Sequence, residues 1–262
     1  MPLSAASSAS SAGRRPPSPL LLALELRAVP ELGAYLAARP LLDRLPAGDG
    51  HPVLVLPGLA GDDASTLPLR RFLRGRGYRA HGWKVGRNTG QPGLLFEVRE
   101  RLASLHQRHD RKISLIGWSA GGLYARELAK LAPDQVRQVI TLGSPFTGTA
   151  DVSNVKRLYQ FLSGRRQDDP QLRARLRETP PQPVTSIYTR SDGIVPWQRC
   201  IEVAREGVEN IEVPGSHSGL GHNPAVLLAI ADRLAQPEGQ WKPFERTGWR
   251  RLLYPVPAQG EV

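Results

Sequence analysis

Ile113-Ser114-Leu115-Ile116-Gly117-Trp118-Ser119-Ala120-Gly121 decides how the rest of the chain is read. The apolar run Ile113 to Ile116 reads as a buried strand, and Leu123 to Leu131 places apolar residues at helical spacing. Two glycines flank a serine at the turn between them. Strand, serine-bearing turn and helix are the context of a nucleophile elbow, which holds a hydroxyl out at the top of a sheet. Such a turn forces its serine into a strained backbone conformation, and side chains at the glycine positions would collide with strand and helix. The helix that follows aims its first N–H groups at whatever Ser119 attacks. An ordinary strand-to-helix turn with a serine N-cap fits the same letters.

Outward from the elbow, strands and helices alternate. Val53 to Leu56 is a continuous apolar run suited to a central strand buried on both faces. After the turn Pro57-Gly58-Leu59-Ala60-Gly61, a helix is expected over Thr66 to Arg76, with Leu67, Leu69, Phe72 and Leu73 inward. A strand over Tyr78 to Val85 and a helix over Leu94 to His109 lead to the elbow strand at Lys112 to Ile116. Val136 to Leu142, Val184 to Tyr188 and Ile211 to Val213 add three more strands, and Pro224 to Leu234 a last apolar helix. This alternation predicts an α/β fold with a mostly parallel, doubly wound sheet.

Four regions follow from this. Residues 1–19 are Ser-, Ala- and Pro-rich and are expected to be disordered. Residues 20–50 should form short helices broken by Pro30 and Pro40, a clasp laid on the main domain through Leu24, Leu32, Tyr35, Leu36, Leu41 and Leu42. Residues 51–236 make the domain proper. Within it, 146–182 falls outside the alternation and reads as a helical lid, with Val155, Leu158, Tyr159 and Leu162 on one face. Residues 237–262 form a tail whose Trp241, Phe244, Trp249 and Tyr254 drape over the core.

Composition bounds the function. The 262 residues carry 40% hydrophobic and 23% charged side chains and a net charge of +11. Those proportions are ordinary for a soluble globular protein. Arginine supplies nearly all the positive charge, the lysines being Lys84, Lys112, Lys130, Lys156 and Lys242. The arginines are scattered, and the densest run, Arg70 to Arg76, reads as a solvated helix face rather than a specific nucleic-acid site. Cys200, the single cysteine, excludes an internal disulfide and a multi-cysteine zinc site, and reads as a small packed residue. No stretch has the length of a membrane span. Pro16, Pro17, Pro19 and Glu25 argue against a secretion signal around Leu20 to Leu24, so a cytoplasmic protein is expected.

A serine hydroxyl needs a base, and the base an orienting carboxylate. On such a sheet the partners follow in the order serine, acid, histidine. Asp192, in Ser191-Asp192-Gly193 beyond the strand Val184 to Tyr188, is the candidate acid; a local Asx turn is its alternative role. Glu202 and Glu206 look like residues of an exposed helix. The candidate base is His217, directly after the last strand, with His222 the alternative; His51, His81, His106 and His109 all precede Ser119. No acidic cluster accompanies His217 and His222, which weakens a metal reading. A developing oxyanion needs two donors, which the N–H groups of Ala120 and Leu59 would supply. Asp62 and Asp63 read as caps of the helix near Thr66. Trp118 and Tyr159 are the candidate substrate contacts.

Val53 to Gly61, Gly117 to Gly122, Thr141 to Pro145 and Ser191 to Pro196 together resemble the lipase-like branch of the α/β-hydrolase superfamily. That branch includes bacterial triacylglycerol lipases and GPI inositol-deacylase-like proteins. The resemblance spans Pro52 to Leu234 and implies Ser119 as nucleophile, Asp192 as acid, His217 as base, and Leu59 and Ala120 as oxyanion donors. Many lipases carry His-Gly where this chain has Pro57-Gly58, and His where it has Trp118; neither position carries the proton transfer. The expected activity is cleavage of carboxylic esters through an acyl-enzyme, with no metal and no organic cofactor, on a substrate with an apolar acyl chain. An acyltransferase or thioesterase would use the same residues. A hydrolase-fold binding protein without turnover would not need all three.

Overall fold

The computed structural model describes residues 16–91, 93–147 and 170–256. Six strands form one sheet: β1 (Pro52–Leu56), β2 (Arg79–Gly82), β3 (Ile113–Trp118), β4 (Val136–Leu142), β5 (Val184–Tyr188) and β6 (Val208–Glu212). Their spatial order is β2-β1-β3-β4-β5-β6, and every adjacent pair is parallel. The order reverses between β1 and β3. Such a reversal is the point at whose carboxyl ends sheets of this kind place ligands.

Side-chain alternation explains the two layers. Val53 and Val55 of β1 face one apolar cluster together with Ile116, Ile140, Ile187 and Ile211. Helices α2 (Ala28–Leu42), α3 (Leu67–Gly75) and α7 (Pro224–Ala235) cover that face. Leu54 and Leu56 face the other cluster, covered by α4 (Leu94–His109) and α5 (Ala120–Leu131). All of these β1 side chains are fully buried. A strand apolar on both faces is the residue-level cause of a sheet sandwiched between helices.

The remaining helices are short: α1 (Pro19–Ala23), α6 (Pro170–Arg177) and α8 (Arg250–Leu253). Residues 1–15 and most of the expected lid, 148–169, lie outside the described residues, as does 257–262 of the tail. In the tail, Phe244 and Tyr254 are buried and meet edge to face, while Trp249 is exposed.

The N-terminal segment corrects the sequence reading in two ways. Pro40 does not break the helix, because α2 runs through it to Leu42. A proline so near the end removes only one of the last hydrogen bonds, and Pro30 lies in the first turn, where the N–H has no intrahelical partner. Of the six apolar residues expected against the domain, only Tyr35 and Leu42 are buried; Leu24, Leu32, Leu36 and Leu41 are exposed. Arg70 departs from its expected solvated face as well. It is buried on α3, bonded to the Thr66 hydroxyl and the Asp63 carbonyl.

Candidate active site

Ser119 stands between β3 and α5 with φ 52° and ψ −121°. A serine rarely adopts positive φ, and the surroundings must enforce it. The Ser119 N–H donates to the Leu142 carbonyl of β4 at 2.8 Å, carrying the β3–β4 ladder into the turn. Helix α5 is pressed so close to β1 that a Cβ on Gly121 would stand 2.3 Å from the Leu56 carbonyl oxygen. The hydroxyl makes no capping bond to α5, so the N-cap alternative is not what the serine does.

The loop after β1 comes to the same place. A Cβ on Gly58 would lie 3.3 Å from that of Ser119. Leu59 follows, half-buried. Ala120 is the first residue of α5, so its N–H has no intrahelical acceptor. Asp62 accepts from the N–H of Ala64 at 2.8 Å, a cap of the turn before α3. Asp63 is no cap; it accepts from the Trp83 N–H at 3.0 Å, tying this loop to the end of β2.

Asp192 and His217 leave the ends of β5 and β6 and meet. His217 Nδ1 lies 2.6 Å from Asp192 Oδ2, and both side chains are buried. Asp192 is an acceptor here, which puts the imidazole proton on Nδ1 and leaves the Nε2 lone pair free. The other carboxylate oxygen accepts from the N–H groups of Ile194 and Val195, at 2.8 and 2.6 Å. Asx turn and histidine partner are thus one residue using two oxygens. Burial works against a charged His217, but the charge and hydrogen bond of Asp192, aided by Glu25, outweigh it and raise the imidazole pKa above its ordinary value.

Ser119 and His217 converge on neighbouring residues of the β4 end. Ser119 bonds Leu142, and a Cβ on Gly143 would lie 2.9 Å from His217 Nδ1. Among the described residues the Ser119 hydroxyl has no hydrogen-bond partner. Trp118 supports the histidine loop, its indole N–H donating to the His217 carbonyl at 3.1 Å. Tyr159 lies outside the described residues. His222 is turned away, with Nε2 2.9 Å from the Ala28 carbonyl oxygen. Among the described residues no group of three or more His, Cys, Asp or Glu side chains could hold a metal ion.

The model of the palmitoyl protein thioesterase family matches residues 52–189, more than half of the chain. The chain belongs to the palmitoyl protein thioesterase family. Two triacylglycerol lipases, from Pseudarthrobacter phenanthrenivorans and Burkholderia plantarii, are each 32% identical to this family member over 117 residues. That match covers 39% of the chain and only 35% and 32% of the lipases' own lengths. Among solved structures, Aspergillus fumigatus lipase B superposes with a TM-score of 0.60 at 18% identity, over 73% of this chain and 54% of that one. The Paleococcus ferrophilus monoacylglycerol lipase superposes with a TM-score of 0.53 at 16% identity, over 72% of this chain and 95% of its own. The thioesterase-family chain thus has the α/β-hydrolase fold.

Three charged side chains that bond inward in the structure gave no sign of it in the sequence. Glu202, expected on an exposed helix, is buried in an extended segment before β6 and paired with Arg126 of α5. Glu25 and Arg27, between α1 and α2, bond to the loops that carry Asp192 and His217. Most of their partners are backbone groups far away in the chain, which leave no pattern in the letters.

Proposed function

We propose that the chain is a serine hydrolase that cleaves carboxylic esters through an acyl-enzyme. The observation that carries this is the 2.6 Å contact between His217 Nδ1 and Asp192, with Ser119 held at positive φ beside the same strand end. Ser119 attacks the ester carbonyl while Nε2 of His217 takes its proton. Asp192 holds the imidazole in the right tautomer and stabilises the imidazolium. The N–H groups of Leu59 and Ala120 receive the oxyanion. The imidazolium then protonates the leaving alcohol, the acyl-enzyme forms, and water repeats the cycle to release the acid.

The reading extends to the substrate and the setting. An acyl chain of apolar character suits Trp118, and Tyr159 with the rest of the expected lid face. The family's own description supports a second reading, a thioester substrate cleaved by the same residues, with a thiol as the leaving group. Among the described residues no helix is long and apolar enough to cross a membrane. A cytoplasmic setting is favoured because Glu25, next to the apolar run that a secretion signal would use, is buried against the site loops.

A fluorophosphonate probe traps an activated serine whatever the natural substrate, which makes it the first test. Labelling of the native protein should vanish in Ser119→Ala and collapse in His217→Ala. Native folded protein that takes up no probe refutes the reading. Comparing p-nitrophenyl esters with acyl thioesters of equal chain length then divides the two substrate classes by kcat/KM.

A further inference from the structure

The segment that precedes the sheet is built inside out. Large apolar side chains stand outward around its start, Leu26 and Val29 being 79% and 73% exposed, while the Glu25 side chain between them and the domain is buried. Burying a carboxylate is costly unless hydrogen bonds replace its water. Here three backbone N–H groups do so. Glu25 Oε1 accepts from Gly193 at 2.8 Å and from His217 at 3.0 Å, and Oε2 accepts from Ser218 at 2.8 Å. Gly193 follows the candidate acid, and His217 is the candidate base. One carboxylate therefore bridges the backbones of the two loops that must hold Asp192 against His217.

Neighbouring contacts repeat the arrangement. Arg27 donates to the carbonyls of Ser191 and Gly215, one on each loop, at 3.1 and 3.2 Å. Glu31 accepts from the N–H and hydroxyl of Ser216 at 2.8 and 2.9 Å. The acid loop has room for this approach only as glycine. A Cβ on Gly193 would stand 2.3 Å from the Leu21 carbonyl oxygen.

We propose that Glu25 is a positioning residue for the triad, its carboxylate clamping the acid loop to the histidine loop so that Asp192 and His217 keep their contact. The proposal rests on the triad reading above. Glu25 also faces the imidazole as a charge. Burial disfavours its ionised form, but the N–H groups of Ser218, Gly193 and His217 hold the carboxyl below the usual carboxylate range, so it stays an anion. Asp192 and Glu25 are the anions that favour the imidazolium of His217. Around them stand Arg27 on Ser191 and Gly215, Glu31 on Ser216, and His222 on Ala28.

The test is Glu25→Gln in the full chain, with active sites counted by fluorophosphonate uptake. Glutamine keeps one acceptor for Gly193 and His217, but sets an amide N–H against that of Ser218 and removes the charge. Turnover of a p-nitrophenyl ester per titrated site should fall by about 10- to 100-fold, the scale of a small misplacement at a reacting centre. The loss should lie in kcat, and the acid limb of the kcat/KM profile should move to lower pH, because the imidazolium has lost a nearby anion. A role in the fold alone would lower the melting temperature and the number of titrated sites, but leave kcat per site and the pH midpoint where they were; that result overturns the proposal. Glu25→Asp keeps the charge and shortens the reach by one methylene. It should lose kcat at an unmoved midpoint, and it carries the test if Glu25→Gln does not fold. Wild-type kcat in Glu25→Asp, or failure of both variants to fold, overturns the proposal. Wild-type protein that takes up no probe refutes the triad reading instead, which keeps the two failures apart.

Discussion

The central strands and the N-terminal segment are held by opposite chemistries. Strand β1 buries Val53, Leu54, Val55 and Leu56 completely, and each such side chain contributes about 1.5–3 kcal/mol by leaving water. Between Leu20 and Leu41 the segment exposes most of its leucines and instead sends Glu25, Arg27 and Glu31 inward to backbone groups. Hydrogen bonds to a charged group contribute about 1.5–3 kcal/mol each, enough for three of them to offset much of the desolvation of a carboxylate. The difference teaches what each region is suited for. Apolar burial is non-directional and gives the sheet stability, whereas a few directed polar bonds fix the geometry of two loops.

Asp192 stands where the two regions meet, and it is where the largest effect is expected. Asp192→Asn should lower kcat by about 10⁴-fold, because an amide no longer enforces the Nδ1–H tautomer. Its melting temperature should stay close to that of the native protein, since the oxygen that accepts from Ile194 and Val195 survives in asparagine. Ester turnover and thermal melts on one preparation check both halves. A loss of fold rather than rate would mean that the acid loop belongs with the sheet in its energetics.

Leu54→Ala is the reverse experiment. It should destabilise the protein by about 2–5 kcal/mol in urea unfolding and leave the labelling rate per folded molecule unchanged. Leu54 is fully buried between β2 and β3 and far in character from the polar clamp.

That contrast also governs what the sequence could reveal. Strand β4 and helix α4 were legible to the residue, because burial on both faces or on one stripe writes a period into the letters. The elbow was legible because its constraints are local, strand, turn and helix within a dozen residues. Asp192 and His217 were candidates from chain order on such a sheet, and their side chains do meet. The segment was misread because leucine periodicity was taken as a sign of burial, and here it marks the outer face. Glu25 was invisible: its partners are backbone N–H groups 168 and 192 residues away, with no complementary side chain to suggest a pair. Glu202 hid for a related reason, as its buried partner Arg126 sits on a distant helix.

Two histidines extend the comparison to acid. His51, fully buried at the opening of β1, has its pKa lowered to about 4 by burial and by the nearby Arg137, against the pull of Asp49. The unfolded chain takes that proton near the ordinary value of about 6.5. The stabilisation is therefore present above that value and lost as pH falls from there towards about 4. His217 has the opposite sign. Its raised pKa stabilises the protonated fold below the ordinary value, and that contribution disappears as pH rises through the raised one. Melting temperatures across acid pH should show a decline that His51→Gln flattens, whereas ester turnover should fall on acidification at a higher pH, where His217 takes up its proton.

The smallest effect is expected on the outer face of the segment. Leu26 and Leu36 are 79% and 58% exposed, so serine at either removes little apolar surface from shelter. Leu26→Ser and Leu36→Ser should each shift stability by no more than about 0.5 kcal/mol and leave labelling untouched. The neighbouring Tyr35, buried against the sheet cluster, is the control: Tyr35→Ala should cost several times as much. Tyr35 and Leu36 are adjacent on one helix, so that pair of measurements divides burial from composition. If Leu36→Ser costs as much as Tyr35→Ala, then another part of the chain covers that face in solution, and the segment is packed like the sheet rather than clamped by Glu25, Arg27 and Glu31. Equal and negligible costs at Leu26 and Leu36 leave the polar contacts, with Tyr35 and Leu42, as what holds the segment to the loops that carry Asp192 and His217.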